Sequence, residues 1–340
     1  MCPPSKQVLP LSSAPKISSY HIQPPTGPSQ TSQAIELSQA THRINLINSF
    51  GPRAIFPSAQ ILELGCGQGT CTAVLAEAVT ISSTGPGGHV TALDPAPGTY
   101  GAPFTLSQAQ AHLTSSLAVP ENIRKAITFH LETDLASFLH GRENLSREWD
   151  AAVLAHCIWY FPSPEKQLES ILLALKGRAK RVCVAEYALQ ASSSSSSSSL
   201  AAMPHVLAAL ARATLEANKR NENRGSSEEE QQNIRGVISP EGIKKVLERT
   251  GWKLESEGIV VPDKELSDGY WETAEVVSEG FLNEVEDGVP GDDHERARSV
   301  LRASRDAVVR AVDLVPGGLK GVRTMDVWVG VFVQVGGSEA

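Results

Sequence analysis

Three glycines at alternate positions, Gly65, Gly67 and Gly69, follow the apolar run "ILEL" in "QILELGCGQGTCTAVLAEAV". Glycines so spaced let a backbone turn tightly and come close to a ligand that a side chain would keep away. A helical pattern begins at Thr70, and a helix N-terminus attracts negative groups. One acid, Glu63, stands two positions before the first glycine. A carboxylate there would repel a pyrophosphate and suits a ligand with a positive group. The dinucleotide fingerprint G-x-G-x-x-G also lacks its third glycine, because that position is Thr70. An NAD-type oxidoreductase is therefore a disfavoured reading of the loop.

Other residues with chemical potential follow at intervals. Asp94 ends "VTALDPA", Asp134 ends "FHLETD", and His156 ends the apolar run "DAAVLAH", with Trp159 and Tyr160 just beyond it. Taken singly, Asp94 could be a turn acid before Pro95, and Asp134 a helix N-cap for "LASF". His156 is a candidate general base or a strand-end hydrogen-bonding group. Trp159 and Tyr160 are either aromatic walls of a site or ordinary core.

These residues sit at the ends of recognisable elements. "AQILELG", "HVTALDP", "AITFHL", "WDAAVLAHC" and "RVCVAEYAL" read as buried strands, separated by helical patterns such as "TCTAVLAEAV", "LSQAQAHLTSSL" and "SPEKQLESILLALK". Strand–helix alternation predicts an α/β fold with a parallel sheet, and ligands bind beyond the carboxyl ends of its strands. A capped helix near Ser239, the strand "WKLESEGIVV" and the strand "TMDVWVGVFVQV" complete the pattern. Residues 1–31 are rich in Pro, Ser and Gln and are expected to be disordered. An amphipathic helix is expected from Ser32, and residues 32–335 form a single domain with insertions at about 190–235 and 266–318. The serine tract Ser192 to Ser199 reads as a flexible linker. After it, Leu200, Met203, Leu207 and Leu210 share one helical face. Both insertions follow strands expected to run parallel to the first, so they would roof the glycine loop as helical lids.

"LELGCGQGT" resembles motif I, (E/D)-x-G-x-G-x-G, of the class I S-adenosylmethionine-dependent methyltransferases. The resemblance implies a Rossmann-like seven-stranded methyltransferase sheet with helices on both faces, and S-adenosyl-L-methionine as cofactor. It implies that Gly65, Cys66, Gly67 and Gly69 approach the methionine and ribose portions, and that Glu63 holds the positive amino-acid end. Asp94, with Pro95 beside it, would accept hydrogen bonds from the ribose hydroxyls; Asp134, preceded by Thr133, would receive the adenine amino group. "DAAVLAHCIWYF" matches motif IV and places Ala155 and His156 under the methyl donor. The similarity runs from Gln60 to Tyr187, and "SPEGIKKVLERTGWKLES" resembles the family's final helix and strand. Within the family, "GCGQG", "LDPAPGTYG", "AHCIWYF" and "NIRGVISPEGI" resemble fungal small-molecule methyltransferases. The serine tract and the long helical insertion depart from the family pattern.

Methyl transfer from a sulfonium is an in-line displacement that needs alignment more than acid–base chemistry. The (N/D)-P-P-Y motif of adenine- and glutamine-directed members is absent, and neither a metal-ligand set nor a plant-type histidine base is evident. His156 remains the candidate catalytic residue. Trp159, Tyr160, Arg235 and Tyr20 are candidate substrate contacts, with Tyr20 expected to fold over the cofactor. His205 lies either against substrate or on the surface. The 340-residue chain carries a net charge of −8 and no basic run with interleaved aromatics, which argues against nucleic-acid binding. Its five cysteines form no C-x-x-C pair, and no apolar run is long enough to span a bilayer. The expected protein is a cytoplasmic methyltransferase of a small organic acceptor at N, O or S, with no metal and no membrane partner. A protein or RNA methyltransferase and a non-catalytic cofactor-binding regulator are the alternatives.

Overall fold

Seven apolar runs become strands in the computed structural model: β1 (Gln60–Leu64), β2 (His89–Asp94), β3 (Ile127–Leu131), β4 (Trp149–Ala155), β5 (Ala179–Tyr187), β6 (Trp252–Val260) and β7 (Val327–Gln334). They form one sheet in the order β3-β2-β1-β4-β5-β7-β6. The first five strands pair in parallel, with Leu64 opposite Leu154 and Ala155 opposite Ala185. β7 is antiparallel to both β5 and β6, so β6 points the same way as β1. The strand order reverses between β1 and β4, which makes their carboxyl ends the switch point where such sheets bind ligands. The structure describes residues 7–22, 29–81, 87–192, 196–219, 234–291 and 294–335.

Helices cover both faces, as the α/β reading requires. α1 (Ala14–Ser18), α2 (Ser29–Phe50), α3 (Thr70–Thr80), α4 (Leu106–Ser115) and α5 (Glu121–Lys125) form one connected group. α6 (Leu135–His140), α7 (Pro164–Ala174) and α9 (Pro240–Arg249) form the other. No helix among the described residues is long and apolar enough to cross a membrane.

The N-terminal expectation needs correction for residues 7–22, which are packed. Leu9, Ile17 and Tyr20 are buried. Asn48 on α2 accepts from the backbone N–H groups of Val8 and Leu9, each at 2.9 Å, and donates to the Leu9 carbonyl. Composition misled here because three apolar side chains and one amide suffice to anchor a Pro/Ser-rich segment. Residues 1–6 and 23–28 lie outside the described residues.

The two inserted segments leave the sheet after β5 and β6 and meet each other. α8 (Ser196–Asn218) packs against α10 (Asp268–Val277), α11 (Glu279–Gly288) and α12 (Glu295–Asp313). Their shared core includes Leu215, Val276, Phe281, Val285, Leu301 and Val308. The stretch "YWETAEVVSEGFLNEV" is divided at Ser278, whose extended backbone (ψ 159°) separates α10 from α11. The last four serines of the tract begin α8 rather than a linker; residues 193–195 lie outside the description. On α8 most of the face shared by Leu200, Met203, Leu207 and Leu210 turns outward, while Val206, Arg212 and Leu215 pack inward. Leu200, Met203 and Leu210 are exposed, whereas Ala201, Ala202, Ala208, Ala209 and Ala211 are buried. Small side chains let the neighbouring helices approach closely, and that contact outweighs the leucine stripe.

Arg212 anchors this roof. It is 4% exposed and binds Glu284 at 2.5 Å, Glu275, and Glu216 at 3.8 Å. The segment before β7 ties both insertions together: Thr324 Oγ1 accepts from Gly269 N–H, and Met325 N–H donates to His205 Nδ1.

Candidate active site

β1 ends at Leu64, and the loop after it is shaped by left-handed backbone at Gly65 (φ +71°), Gly67 (φ +54°) and Gly69 (φ +91°). A Cβ at Gly65 would stand 2.5 Å from Cys157 Cβ, and one at Gly69 the same distance from Leu113 Cδ1. A Cβ at Gly67 would meet nothing within 4 Å. Gly65 and Gly69 are therefore fixed by packing, while Gly67 faces open space through which a ligand can approach. Gly65 and Cys66 N–H donate to the Leu93 carbonyl at 2.9 and 3.2 Å, fastening the loop to β2. Gln110 on α4 donates to the Gly67 carbonyl at 2.7 Å. Gly69 then opens α3, leaving first-turn N–H groups to attract an anion.

Asp94, at the end of β2, is buried and pinned by two backbone donors. Gly67 N–H reaches Oδ2 at 2.8 Å and Ala96 N–H reaches Oδ1 at 2.9 Å. Each oxygen retains a lone pair for a hydroxyl donor. Pro95 beside it is exposed. Glu63 is fully enclosed, and burial pushes its carboxyl up to about 7 against the pull of Thr72, whose hydroxyl donates at 2.5 Å. A buried carboxyl poised near neutrality gains most from a cation. These features fit the positive amino-acid end and the ribose of the expected cofactor.

Asp134 realises the other reading. It is the exposed N-cap of α6, and its oxygens accept from Ser137 N–H (2.9 Å) and Ser137 Oγ (2.7 Å). Thr133 N–H is occupied by the Asp94 carbonyl at 3.1 Å and its hydroxyl by the Leu131 carbonyl. The adenine-facing role implied for Asp134 gains no support from this arrangement. Its sequence position is the same for both roles, so only the hydrogen-bond partners separate them.

Beyond the ends of β4 and β5 lies a cavity of about 260 Å³. Its floor is His156, Glu186 and Tyr187; α2 contributes Gln39 and Arg43; α10 covers it with Asp268, Trp271 and Glu272. Trp159, Tyr160 and Ile234 close the remaining side. Ala155 is the last β4 residue before this floor. Gly65 abuts Cys157, the residue after His156 of the cavity floor, so the glycine loop lies one residue from the cavity lining. Arg43 lies between the two. Its charge opposes the rise at Glu63 and pushes His156 down, and its Nη1 is buried without a hydrogen-bond partner. An unpartnered guanidinium nitrogen beside the loop suits the methionine carboxylate.

His156 has left-handed backbone (φ +53°), which turns the chain sharply out of β4. Its Nε2 is 3.1 Å from His42 Nε2, and its Nδ1 is 3.6 Å from Glu186 Oε1. Burial, with Arg43, holds the ring below the usual histidine range. Both nitrogens thus face buried groups. The contact with His42 holds the ring in place at the cavity wall, a geometry that supports a positioning role for this candidate catalytic residue. Glu186 is itself fixed by Ile158 and Tyr187 N–H, both at 3.0 Å.

The candidate substrate residues divide. Trp159 and Tyr160 line the cavity; Trp159 is buried and donates Nε1–H to the Ile238 carbonyl, whereas Tyr160 is 42% exposed at the edge. Arg235 is held through its backbone N–H, which donates to the Trp159 carbonyl at 2.9 Å; its charge reaches Tyr100, near Asp94. Tyr20 is a correction. Its hydroxyl donates to Glu77, two helical turns beyond Gly69 along α3, so it braces α1 and does not cover the cofactor loop. His205 is neither on the surface nor against the cavity. It is fully buried, accepts at Nδ1 from Met325 N–H, and so carries its proton on Nε2, which donates to Glu272 Oε2 at 2.7 Å.

Sequence reasoning missed Gln39, Arg43, Glu186, Tyr187, Asp268, Trp271 and Glu272. Glu186 carried a usable signal, an acid at the end of an apolar strand like Glu63. Gln39 and Arg43 are four apart on α2 and share a face. The α10 residues carried none, because nothing local fixes where α10 docks. Asp268 does so by accepting from Gln39 Nε2 at 2.7 Å and from Tyr187 OH at 3.0 Å.

Comparison with known proteins agrees with this architecture. The family model described as a methyltransferase domain matches residues 38–257, more than half of the chain. Two proteins of Diaporthe leptostromiformis, the methyltransferases phomM' and phomM, are each 28% identical, with 96% of this chain and 82% of theirs covered. Among solved structures, a cyclopropane-fatty-acyl-phospholipid synthase-like protein from Lactobacillus casei is 27% identical. It matches with a TM-score of 0.71, over 95% of this chain and 99% of that one.

Proposed function

The chain belongs to the family of S-adenosylmethionine-dependent methyltransferases, and from that premise we propose that it methylates a small organic acceptor at N, O or S. The observation that carries the proposal is the cavity of about 260 Å³, lined by α2 and α10, whose wall residue His156 directly precedes Cys157, the residue against which Gly65 of the glycine loop packs. A cavity of that size accepts a small molecule or the end of a larger one. A nucleic-acid backbone fits it poorly, since three carboxylates against one guanidinium repel phosphate.

When bound, S-adenosylmethionine supplies a methyl group on a sulfonium that is already a good leaving group. The residues of this chain bind and align. Glu63 would hold the positive end, Arg43 the carboxylate and Asp94 the ribose, with Gly67 leaving room for them. His156 and Glu186 set the floor on which the acceptor rests. Alignment of this kind accounts for roughly 7–11 kcal/mol of barrier lowering in well-oriented systems.

Isothermal titration with S-adenosylmethionine and with its demethylated product tests the reading. Both are expected to bind one site per chain, and the Gly67→Val variant to bind neither. Folded protein that binds neither ligand overturns the proposal.

A further inference from the structure

Resting on the methyltransferase reading, we infer that the acceptor is an amine, bound as its ammonium between the carboxylates of α10 and the aromatic walls of the cavity. Charge is the first ground. Glu186, Asp268 and Glu272 line the space, and the sole guanidinium lining it among the described residues, Arg43, lies toward the cofactor loop. An anionic acceptor such as a carboxylate or phenolate would be repelled there. A neutral alcohol would gain a hydrogen bond to a carboxylate but no ion pairing.

The second ground is an unused acceptor. Glu272 is 15% exposed; His205 holds its Oε2, and Oε1 has no hydrogen-bond partner among the described residues. His205, fully buried and fixed at Nδ1 by Met325, leaves the carboxylate little freedom. Glu272 is therefore preset with one oxygen spent on the protein and one left over. The third ground is the walls. Tyr187, Trp159 and Trp271 line the cavity, and aromatic rings so placed attract an ammonium through their π electrons. Tyr187 keeps its proton, because burial and the charges of Asp268 and Glu272 push its phenol up, and it donates to Asp268. Its ring is thus a neutral π surface.

The chemistry balances. The ammonium gives one proton, through Glu272 Oε1, to water. The freed nitrogen lone pair forms the C–N bond while the C–S bond breaks and its electron pair leaves with sulfur. Positive charge moves from sulfur to nitrogen and stays beside the same carboxylates, which favour the cationic product as they favoured the cationic acceptor.

The test uses the full chain saturated with the demethylated cofactor and three matched probes: 2-phenylethylamine, 2-phenylethanol and 3-phenylpropanoate. Titration calorimetry at pH 7.5 is expected to show the amine bound at least tenfold more tightly than the alcohol, with the acid weakest. Glu272→Gln keeps an acceptor for His205 and is expected to remove most of that preference, with the demethylated cofactor bound within twofold of normal. Asp268→Asn serves as a second variant should the first lose its thermal transition. Labelled methyl transfer to the amine is expected to rise about tenfold per pH unit below the ammonium pKa near 10. An alcohol or acid bound as tightly as the amine, no binding by any probe, or a preference intact in both variants overturns the inference. With the demethylated cofactor still bound, each of those outcomes leaves the methyltransferase reading standing. Loss of its binding to the unmodified chain overturns both.

Discussion

The cofactor side and the acceptor side of this molecule are linked through Gly65, packed on Cys157, and the adjacent His156 of the cavity floor, yet are built on different terms. The cofactor side is a short run of chain whose shape comes from its own backbone: three left-handed glycines, two N–H groups on the Leu93 carbonyl, and a helix that starts at Thr70. The acceptor side is assembled from α2, the ends of β4 and β5, and α10, which are far apart in sequence. Its alignment depends on side-chain bonds across 81 residues between Tyr187 and Asp268 and 229 between Gln39 and Asp268. One half is locally coded and the other is held by long-range contacts. The two halves are therefore separable by mutation.

The strongest separation is expected from Arg212→Met. Methionine keeps the stem but removes the charge that Glu216, Glu275 and Glu284 share. Stranding partly buried carboxylates costs about 3 kcal/mol or more. Hydrogen exchange is expected to show α10–α12 losing protection, and methyl transfer to fall more than 100-fold. Affinity for the demethylated cofactor is expected to stay within threefold; a parallel loss of that affinity would merge the two halves.

Arg43→Met probes the boundary. A charged hydrogen bond of about 1.5–3 kcal/mol predicts 10- to 100-fold weaker binding of the demethylated cofactor by calorimetry. An unchanged affinity assigns Arg43 to the acceptor side instead.

His156→Asn is a milder test, chosen because asparagine tolerates left-handed backbone. For a positioning ring, kcat is expected to fall about tenfold with the pH profile preserved. A fall of 10²–10⁴ with a flattened profile would restore His156 as the base.

The smallest effect is protonic. Glu63 titrates near about 7 in the fold against 4.5 in the unfolded chain. Its contribution to stability is complete below pH 4.5 and is lost as the pH rises through about 7. A cationic ligand lowers that pKa, so cofactor binding at pH 6.5 is expected to release up to about three-quarters of a proton, read from calorimetry in buffers of different ionisation enthalpy. Glu63→Gln is expected to abolish the release. His42 and His156 act in the opposite sense. Burial holds both below 6.5, so their contribution is present above that pH and is lost as the pH falls below it.

Much of the cofactor side was legible in the chain because each feature depends on near neighbours. Glu63, Gly67 and Asp94 stand at strand ends that apolar runs already mark. Asp134 shows the limit even there. An N-cap and a ligand contact want the same residue type at the same place, and only the partner, Ser137, tells them apart. Tyr20 shows another limit. A tyrosine in a proline- and serine-rich segment gives no sign that Glu77, 57 residues away, will hold it. In α8 three of the four large apolar residues that share a helical face are exposed, and the packed face is made by alanines together with Leu215.

Sequence alone determined the order of strands and helices, the glycine turn and the acids that flank it, because period, turn chemistry and strand-end placement act over a few residues. Tertiary structure decided the rest. It set α10 over the floor of β4 and β5, fixed Glu272 through His205, and left Arg43 unpartnered between the loop and the cavity. Those outcomes depend on how surfaces distant in the chain fit together, and residue spacing carries no record of that fit.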